Sequence, residues 1–203
     1  VGKSTLFNAL TNSNKAQAAN FPFCTIDPNV GVVSVPDQRL ENLAKISKSK
    51  KIIHTTISFV DIAGLVKGAS KGEGLGNKFL SHIREVDAII HLVRCFESEK
   101  IQHVNNKINP VDDLETIKTE IALSDIETIH KKLEKSKKKL LSEIEIEILE
   151  KSREILDKGN DLNTLENSSK KFLGQIGLLS LKPKIIVCNV DEVDLKNGND
   201  HTT

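Results

Sequence analysis

Four short runs rich in β-branched residues punctuate the chain: VGVVSV (30–35), IIHTTISFV (52–60), AIIHLVRCF (88–96) and KIIVCN (184–189). Runs this short, with few charges and joined by longer helix-capable stretches, predict buried strands of a mostly parallel sheet with flanking helices, an α/β fold. The first two runs are joined only by the polar stretch PDQRLENLAKISKSKK, so they can pair as a hairpin instead.

The composition changes between Val111 and about Lys182. Leu114, Ile117, Ile121, then Ile126, Ile129, Leu133, and later Leu140, Ile144, Ile148 recur at spacings of three and four on a background of Lys and Glu. This pattern predicts amphipathic helices folding back as an antiparallel coiled-coil hairpin that buries its stripes. Six lysines between Lys131 and Lys139 precede Glu143, Glu145, Glu147 and Glu150, which places a basic tip near Ser136 to Ser142. That cluster reads first as a solvated helix face and second as a working surface. The expected organisation is therefore a sheet domain built from 1–110 and 183–203, interrupted by a helical insertion at 111–182.

A chain of 203 residues with 38% hydrophobic content can supply one such domain and its insertion. Lys plus Arg (29) nearly balance Asp plus Glu (28), so overall charge argues for neither DNA nor a membrane surface as partner. Cys24, Cys95 and Cys188 are far apart with no C-x-x-C pair, which predicts small buried hydrophobes in a reducing compartment. No apolar run approaches the ~18 residues of a membrane helix, and no signal pattern opens the chain, so the expectation is a soluble, cytoplasmic protein.

The chemistry begins at the N-terminus, in VGKSTLFNALT. Gly2, Lys3, Ser4 and Thr5, followed by a helix-forming stretch, form the second half of G-x-x-x-x-G-K-[ST], in which backbone N–H groups and a helix N-terminus cradle phosphates. Lys3 is placed to meet β and γ phosphates, and the Ser4 hydroxyl to ligate Mg²⁺. The first glycine of that motif and its preceding strand are not in the sequence, and half a cradle is expected to bind ATP poorly.

Spacing supplies corroboration. Thr25 lies about twenty residues after the lysine, where a switch threonine reaches Mg²⁺ and senses the γ phosphate. Asp61 closes its strand as a carboxylate for Mg²⁺, and the Gly64 N–H can meet the γ phosphate. Asn189, Val190 and Glu192 stand at the end of the last strand, where base-reading N-K-x-D motifs sit. All these positions fall at the C-terminal ends of predicted strands, the edge where open α/β sheets bind ligands. In N-K-x-D the Asp accepts from two guanine donors that adenine lacks. Here valine replaces the lysine and the acid is one methylene longer, which predicts relaxed selectivity rather than a choice of adenine. Leu65 occupies the place after Gly64 where a glutamine commonly orients the attacking water.

The strings NFPFCTIDPNVGVVSVPDQRL, FVDIAGLVKGASKGEGLGNKFLSHIREVDAIIHLVRCFE and NVDE resemble the YchF or Obg-like ATPase family, a branch of the Obg-related translation-factor P-loop NTPases. The likeness extends over nearly the whole chain except the lysine-rich helical middle. It implies a nucleotide-binding domain with a coiled-coil insertion, ATP preferred over GTP, slow Mg²⁺-dependent hydrolysis, a monomer that cycles between ATP and ADP, and binding to ribosomes through the large subunit. It also implies that a histidine from a loop acts on water in place of glutamine. The matching residue is His103, in a loop that follows the strand ending near Phe96; a neutral imidazole can orient or deprotonate water. His91 and His82 read as packing or surface residues. Asn105-Asn106 stand where the family carries a glycine, and the family's C-terminal TGS domain lies outside this sequence, so the chain reads as truncated at both ends. A guanine-specific translation GTPase and a non-catalytic, nucleotide-controlled ribosome-binding module are the alternatives.

Overall fold

The structure, a computed structural model, describes residues 2–13, 28–62, 75–98, 108–136 and 141–202. The chain divides into two compact units, Gly2–Ala63 and Gly64–Thr203.

In the first unit, helix α1 (Lys3–Thr11) precedes strand β1 (Asn29–Ser34), helix α2 (Gln38–Ser47) and strand β2 (Thr56–Asp61). The strands pair antiparallel, from Asn29 opposite Asp61 to Ser34 opposite Thr56. The hairpin alternative therefore holds for this pair, with α2 in the connection. Asp37 starts α2 by accepting from the Arg39 N–H at 2.9 Å, which satisfies one of the helix's unpaired first-turn donors. Phe7 of α1 is buried, and the helix lies so close to β1 that a Cβ on Gly31 would overlap the Thr11 side chain and stand 3.2 Å from Phe7 Cζ. Only a residue without a side chain allows that approach.

In the second unit, helix α3 (Leu75–Glu85) leads to strand β3 (Ile89–Arg94), and helices α4 (Pro110–Ser136) and α5 (Glu143–Asp157) follow. A short 3-10 helix (Leu162–Thr164), helix α6 (Asn167–Gln175), strand β4 (Lys184–Asn189) and a 3-10 turn (Glu192–Asp194) complete it. β3 and β4 pair in parallel, Ile89 opposite Lys184 through Arg94 opposite Asn189. The long crossover that a parallel pair requires is the helical segment itself.

Pro110 opens α4, where its missing N–H costs nothing, and Asp112 and Asp113 stand in the first turn, favourable for the helix dipole. A reciprocal capping box starts α5: Glu145 N–H donates to Ser142 Oγ and the Ser142 N–H donates to the Glu145 carboxylate. These bonds hold the Glu145 carboxyl below the usual range. Ile129 of α4 and Leu149 and Leu156 of α5 are buried with Leu162, Leu165, Leu173 and Leu178 in one core.

Three expectations need correction. The fully buried residues of α5 are Leu149, Ser152 and Leu156; of the Leu140, Ile144, Ile148 stripe, Ile148 packs partly buried against the core, Ile144 is exposed, and Leu140 lies outside the described residues. The core partners of α5 are Ile129 of α4 and, from residues 162–178, Leu162, Leu165, Leu173 and Leu178, which together set which side is apolar. The strands are also less buried than expected: Val30, Val32, Ile57, Ile185 and Ile186 are exposed, because each described sheet has two strands and cannot cover both of its faces. Cys95 is buried but Cys188 is exposed; burial and the neighbouring Cys188 thiol push the Cys95 thiol up to about 11. Among the described residues no helix is long and apolar enough to cross a membrane.

Candidate functional site

The phosphate end of the first unit is built by one turn of helix and one strand end. Gly2 precedes α1 with φ of 86°, a left-handed conformation that a side chain disfavours. The chain thereby turns from an αL residue straight into a helix, and no side chain caps the helix start. Successive N–H groups at such a turn form an anion-binding concavity, reinforced by the helix dipole. Leu6 N–H already donates to Gly2 O at 2.8 Å, so Lys3, Ser4 and Thr5 occupy the first turn.

Asp61, the last residue of β2, meets that turn. Its side chain is fully buried while Lys3 keeps 39% of its own exposed. One carboxylate oxygen accepts from Lys3 Nζ, and the other accepts from Ser4 Oγ at 2.9 Å. A buried carboxylate with each oxygen engaged by a different donor is held in one orientation. The hairpin register explains the meeting: β2 ends at Asp61, and α1 packs on both strands of the pair. Of the predicted residues, Lys3, Ser4 and Asp61 are thus brought together, across 57 and 58 residues of sequence.

The donors fit a hard cation: a serine hydroxyl and a carboxylate, both oxygen, beside a helix N-terminus suited to phosphate. Mg²⁺ is commonly held by one or two carboxylates with phosphate and water completing the shell. Among the described residues no group of three or more His, Cys, Asp or Glu is placed to hold a metal. Thr25, Gly64, Leu65 and His103 lie outside the described residues.

In the second unit, Asn189 ends β4 beside the exit of β3. Its carbonyl accepts from Cys95 N–H at 2.8 Å, which carries the ladder one residue past Arg94. Val190 follows, and Glu192 opens the 3-10 turn with an exposed side chain. Exposed carboxylates at such a turn can accept from a base edge. Asn199 is the residue that sequence reasoning missed. Its Nδ2 donates to Cys95 O and to Asp194 Oδ2, both at 2.8 Å, tying the segment after the 3-10 turn to the strand end. Nothing in the polar string LKNGNDHTT marks that one asparagine in advance. His91 lies in β3, where burial and Lys184 lower its pKa, and His82 lies on α3, both as read from the sequence.

A family profile described as "50S ribosome-binding GTPase" matches residues 1–125. A Bacillus subtilis (strain 168) protein named "Ribosome-binding ATPase YchF" is 49% identical over 210 residues, covering 99% of this chain and 57% of the relative. The chain belongs to the YchF family. An Escherichia coli O157:H7 YchF with the same printed name is 50% identical over 205 residues, covering 98% of this chain and 56% of the relative. The solved Schizosaccharomyces pombe structure titled a YchF GTPase superposes with a TM-score of 0.74 at 37% identity, covering all of this chain and 57% of that one. The α/β fold of P-loop NTPases follows from that likeness. The chain spans a little over half the length of these YchF relatives.

Proposed function

We propose that this YchF chain is the nucleotide-binding part of a ribosome-associated ATPase that works with Mg²⁺ as a nucleotide-dependent switch in translation. The observation that carries the reading is the Lys3–Asp61–Ser4 constellation at the start of α1. Lys3 neutralises charge on the β and γ phosphates, and the first-turn N–H groups of α1 receive their oxygens. Ser4, Thr25 and Asp61 hold Mg²⁺, which supplies further neutralisation of the phosphates. Gly64 reports the γ phosphate through its N–H. Asn189, Val190 and Glu192 frame the base; their departure from N-K-x-D relaxes guanine selectivity, and the preference for ATP over GTP rests on the likeness to relatives named ATPases. His103 orients or deprotonates the attacking water in place of the glutamine that Leu65 supplants. The helical stretch 111–182 is an insertion in that domain, the partner is the ribosome through its large subunit, and the protein acts as a cytoplasmic monomer.

The names of the relatives favour keeping one rival: the bacterial ones are called ATPases, the fission-yeast one a GTPase. Competition of unlabelled ATP and GTP against a fluorescent nucleotide, in the intact protein, separates them. The expected result is tighter displacement by ATP; equal or better displacement by GTP defeats the adenine assignment. His103→Ala is expected to remove most hydrolysis while leaving nucleotide binding in place, because it takes no part in holding the phosphates. Leu65→Gln is expected to leave turnover within about threefold, since positioned general catalysis contributes far more than that, about 10²-fold upward. A large gain from that glutamine, or wild-type turnover in His103→Ala, shows that water is handled elsewhere.

A further inference from the structure

The chain that leaves β4 is tied back to the strand ends by a continuous path of hydrogen bonds. Asn189 O accepts from Cys95 N–H at 2.8 Å. Cys95 O in turn accepts from Asn199 Nδ2, and the same Nδ2 donates to Asp194 Oδ2, each at 2.8 Å. Asp194 closes the 3-10 turn Glu192–Asp194, and its own N–H donates to Asp191 O at 3.0 Å. The two ends of the segment 189–194 are therefore joined through one asparagine side chain.

Asn199 is itself held in this orientation. Its Oδ1 accepts from His201 N–H at 3.0 Å, and its backbone N–H donates to Thr202 Oγ1 at 2.7 Å. With Oδ1 engaged by a backbone donor, the amide must present Nδ2 to the carbonyl and the carboxylate. Aspartate has no donor to offer there. Val193 and Leu195, within and just after the turn, are 84% and 76% exposed, so apolar packing does little to hold it. A turn with few buried contacts is fixed only as well as its hydrogen bonds fix it.

We propose that Asn199 is a positioning residue for base recognition: through Cys95 and Asp194 it fixes the Glu192–Asp194 turn beside the end of β4, without touching nucleotide itself. The inference rests on the base-framing role of Asn189, Val190 and Glu192 proposed above. Hydrogen bonds to a base edge weaken steeply with distance and angle, so a carboxylate on a turn free to drift reads that edge poorly. An asparagine that only fastens the chain after the turn predicts a different outcome, a lower melting temperature with no effect that depends on the base.

The test measures dissociation constants of ATP and of inorganic tripolyphosphate, which carries phosphates without a base, by calorimetry on the intact protein with Mg²⁺, together with melting temperature. The net worth of one hydrogen bond corresponds to about threefold to tenfold in affinity, so Asn199→Ala is expected to weaken ATP about fivefold and to leave tripolyphosphate unchanged. Asp194→Ala frees the turn but keeps the bond to Cys95 O, so it serves even where Asn199→Ala fails to fold; the expected loss for ATP is about threefold. Asp194→Asn retains an oxygen for Nδ2 and is expected to bind ATP as the wild type does. Glu192→Ala is expected to weaken ATP and not tripolyphosphate, and adding Asn199→Ala to it is expected to cost less than the product of the two single losses, since both act through one contact. Unchanged ATP affinity in Asn199→Ala and Asp194→Ala, equal losses for ATP and tripolyphosphate, or fully multiplicative losses in the double variant overturns the proposal. Unchanged ATP affinity in Glu192→Ala overturns the reading of the base site and this proposal with it, an outcome distinct from the others.

Discussion

Lys3→Ala is expected to lower hydrolysis by about two to three orders of magnitude, the range found when a preorganised donor to a developing charge is removed. Nucleotide binding is expected to weaken with it, because the ammonium interacts with the phosphates before and during the reaction. The same change has a second effect that the geometry separates from the first. Asp61 is fully buried and takes its charge partner from Lys3 and a neutral hydrogen bond from Ser4. Losing the ammonium leaves a buried carboxylate with one neutral donor. Breaking a buried pair costs about 3–5 kcal/mol where both partners are desolvated; Lys3 keeps 39% exposure, so the pair is partly screened and the expected cost is smaller. Lys3→Ala combined with Asp61→Asn removes the stranded charge and is expected to recover melting temperature but no activity. Phosphate release, nucleotide titration and thermal melting on the single and double variants check this. Turnover within about threefold of wild type in Lys3→Ala, far from what the loss of such a donor costs, sinks the phosphate role of the site.

Where each element was legible follows from the kind of signal it carries. All four strands were read within a few residues, since β-branched runs bounded by polar stretches are a local pattern. The partner of each strand was not local information. VGVVSV and IIHTTISFV carry no mark of direction, and only the closeness of the two runs in sequence hinted at the antiparallel pairing observed. Helices α4 and α5 followed from the three-and-four spacing of isoleucine and leucine. The choice of buried face on α5 did not follow in full, because Leu149 and Leu156 share their core not only with Ile129 of α4 but also with Leu162, Leu165, Leu173 and Leu178, in a stretch whose polar string NDLNTLENSSKK looks like loop. The Lys3, Ser4 and Asp61 grouping was readable because phosphate chemistry needs those residue types in that order. Asp125 was not: one acid among many on a charged helix shows in sequence nothing of the partners it meets 54 residues later.

Asp125→Ala is expected to lower the unfolding free energy by about 2–6 kcal/mol, two stranded donors at about 1–3 kcal/mol each. Asp125 is fully buried on α4. Its two oxygens accept from Leu179 N–H and Ser180 N–H, each at 2.8 Å, and from Ser180 Oγ. The carboxylate thus satisfies the backbone of the turn that leads into β4. Beside it Arg84 Nη2 donates to Ser124 Oγ and Thr128 Oγ1, both at 3.1 Å, and Lys182 Nζ donates to Arg84 O at 3.0 Å and to Val86 O. Alanine leaves both N–H groups facing an apolar methyl. Asparagine turns an amide NH₂ toward one of them, so Asp125→Asn is expected to cost about 1–3 kcal/mol, the penalty of one unmade bond. Burial pushes the Asp125 carboxyl up from its ordinary 3.8, against the opposing pull of Ser180, Leu179 and Arg84. The folded protein therefore binds this proton more readily than the unfolded chain does. The stability so gained is complete below the unfolded pKa and is lost as pH rises through the higher folded value. In urea titrations from pH 4 to neutrality, the margin of wild type over Asp125→Asn is accordingly expected to narrow as pH rises. The opposite slope contradicts burial as the dominant influence on this carboxyl, and an Asp125→Ala variant within about 1 kcal/mol of wild type at pH 7, below the penalty of even two weakly stranded donors, contradicts a carboxylate holding that turn.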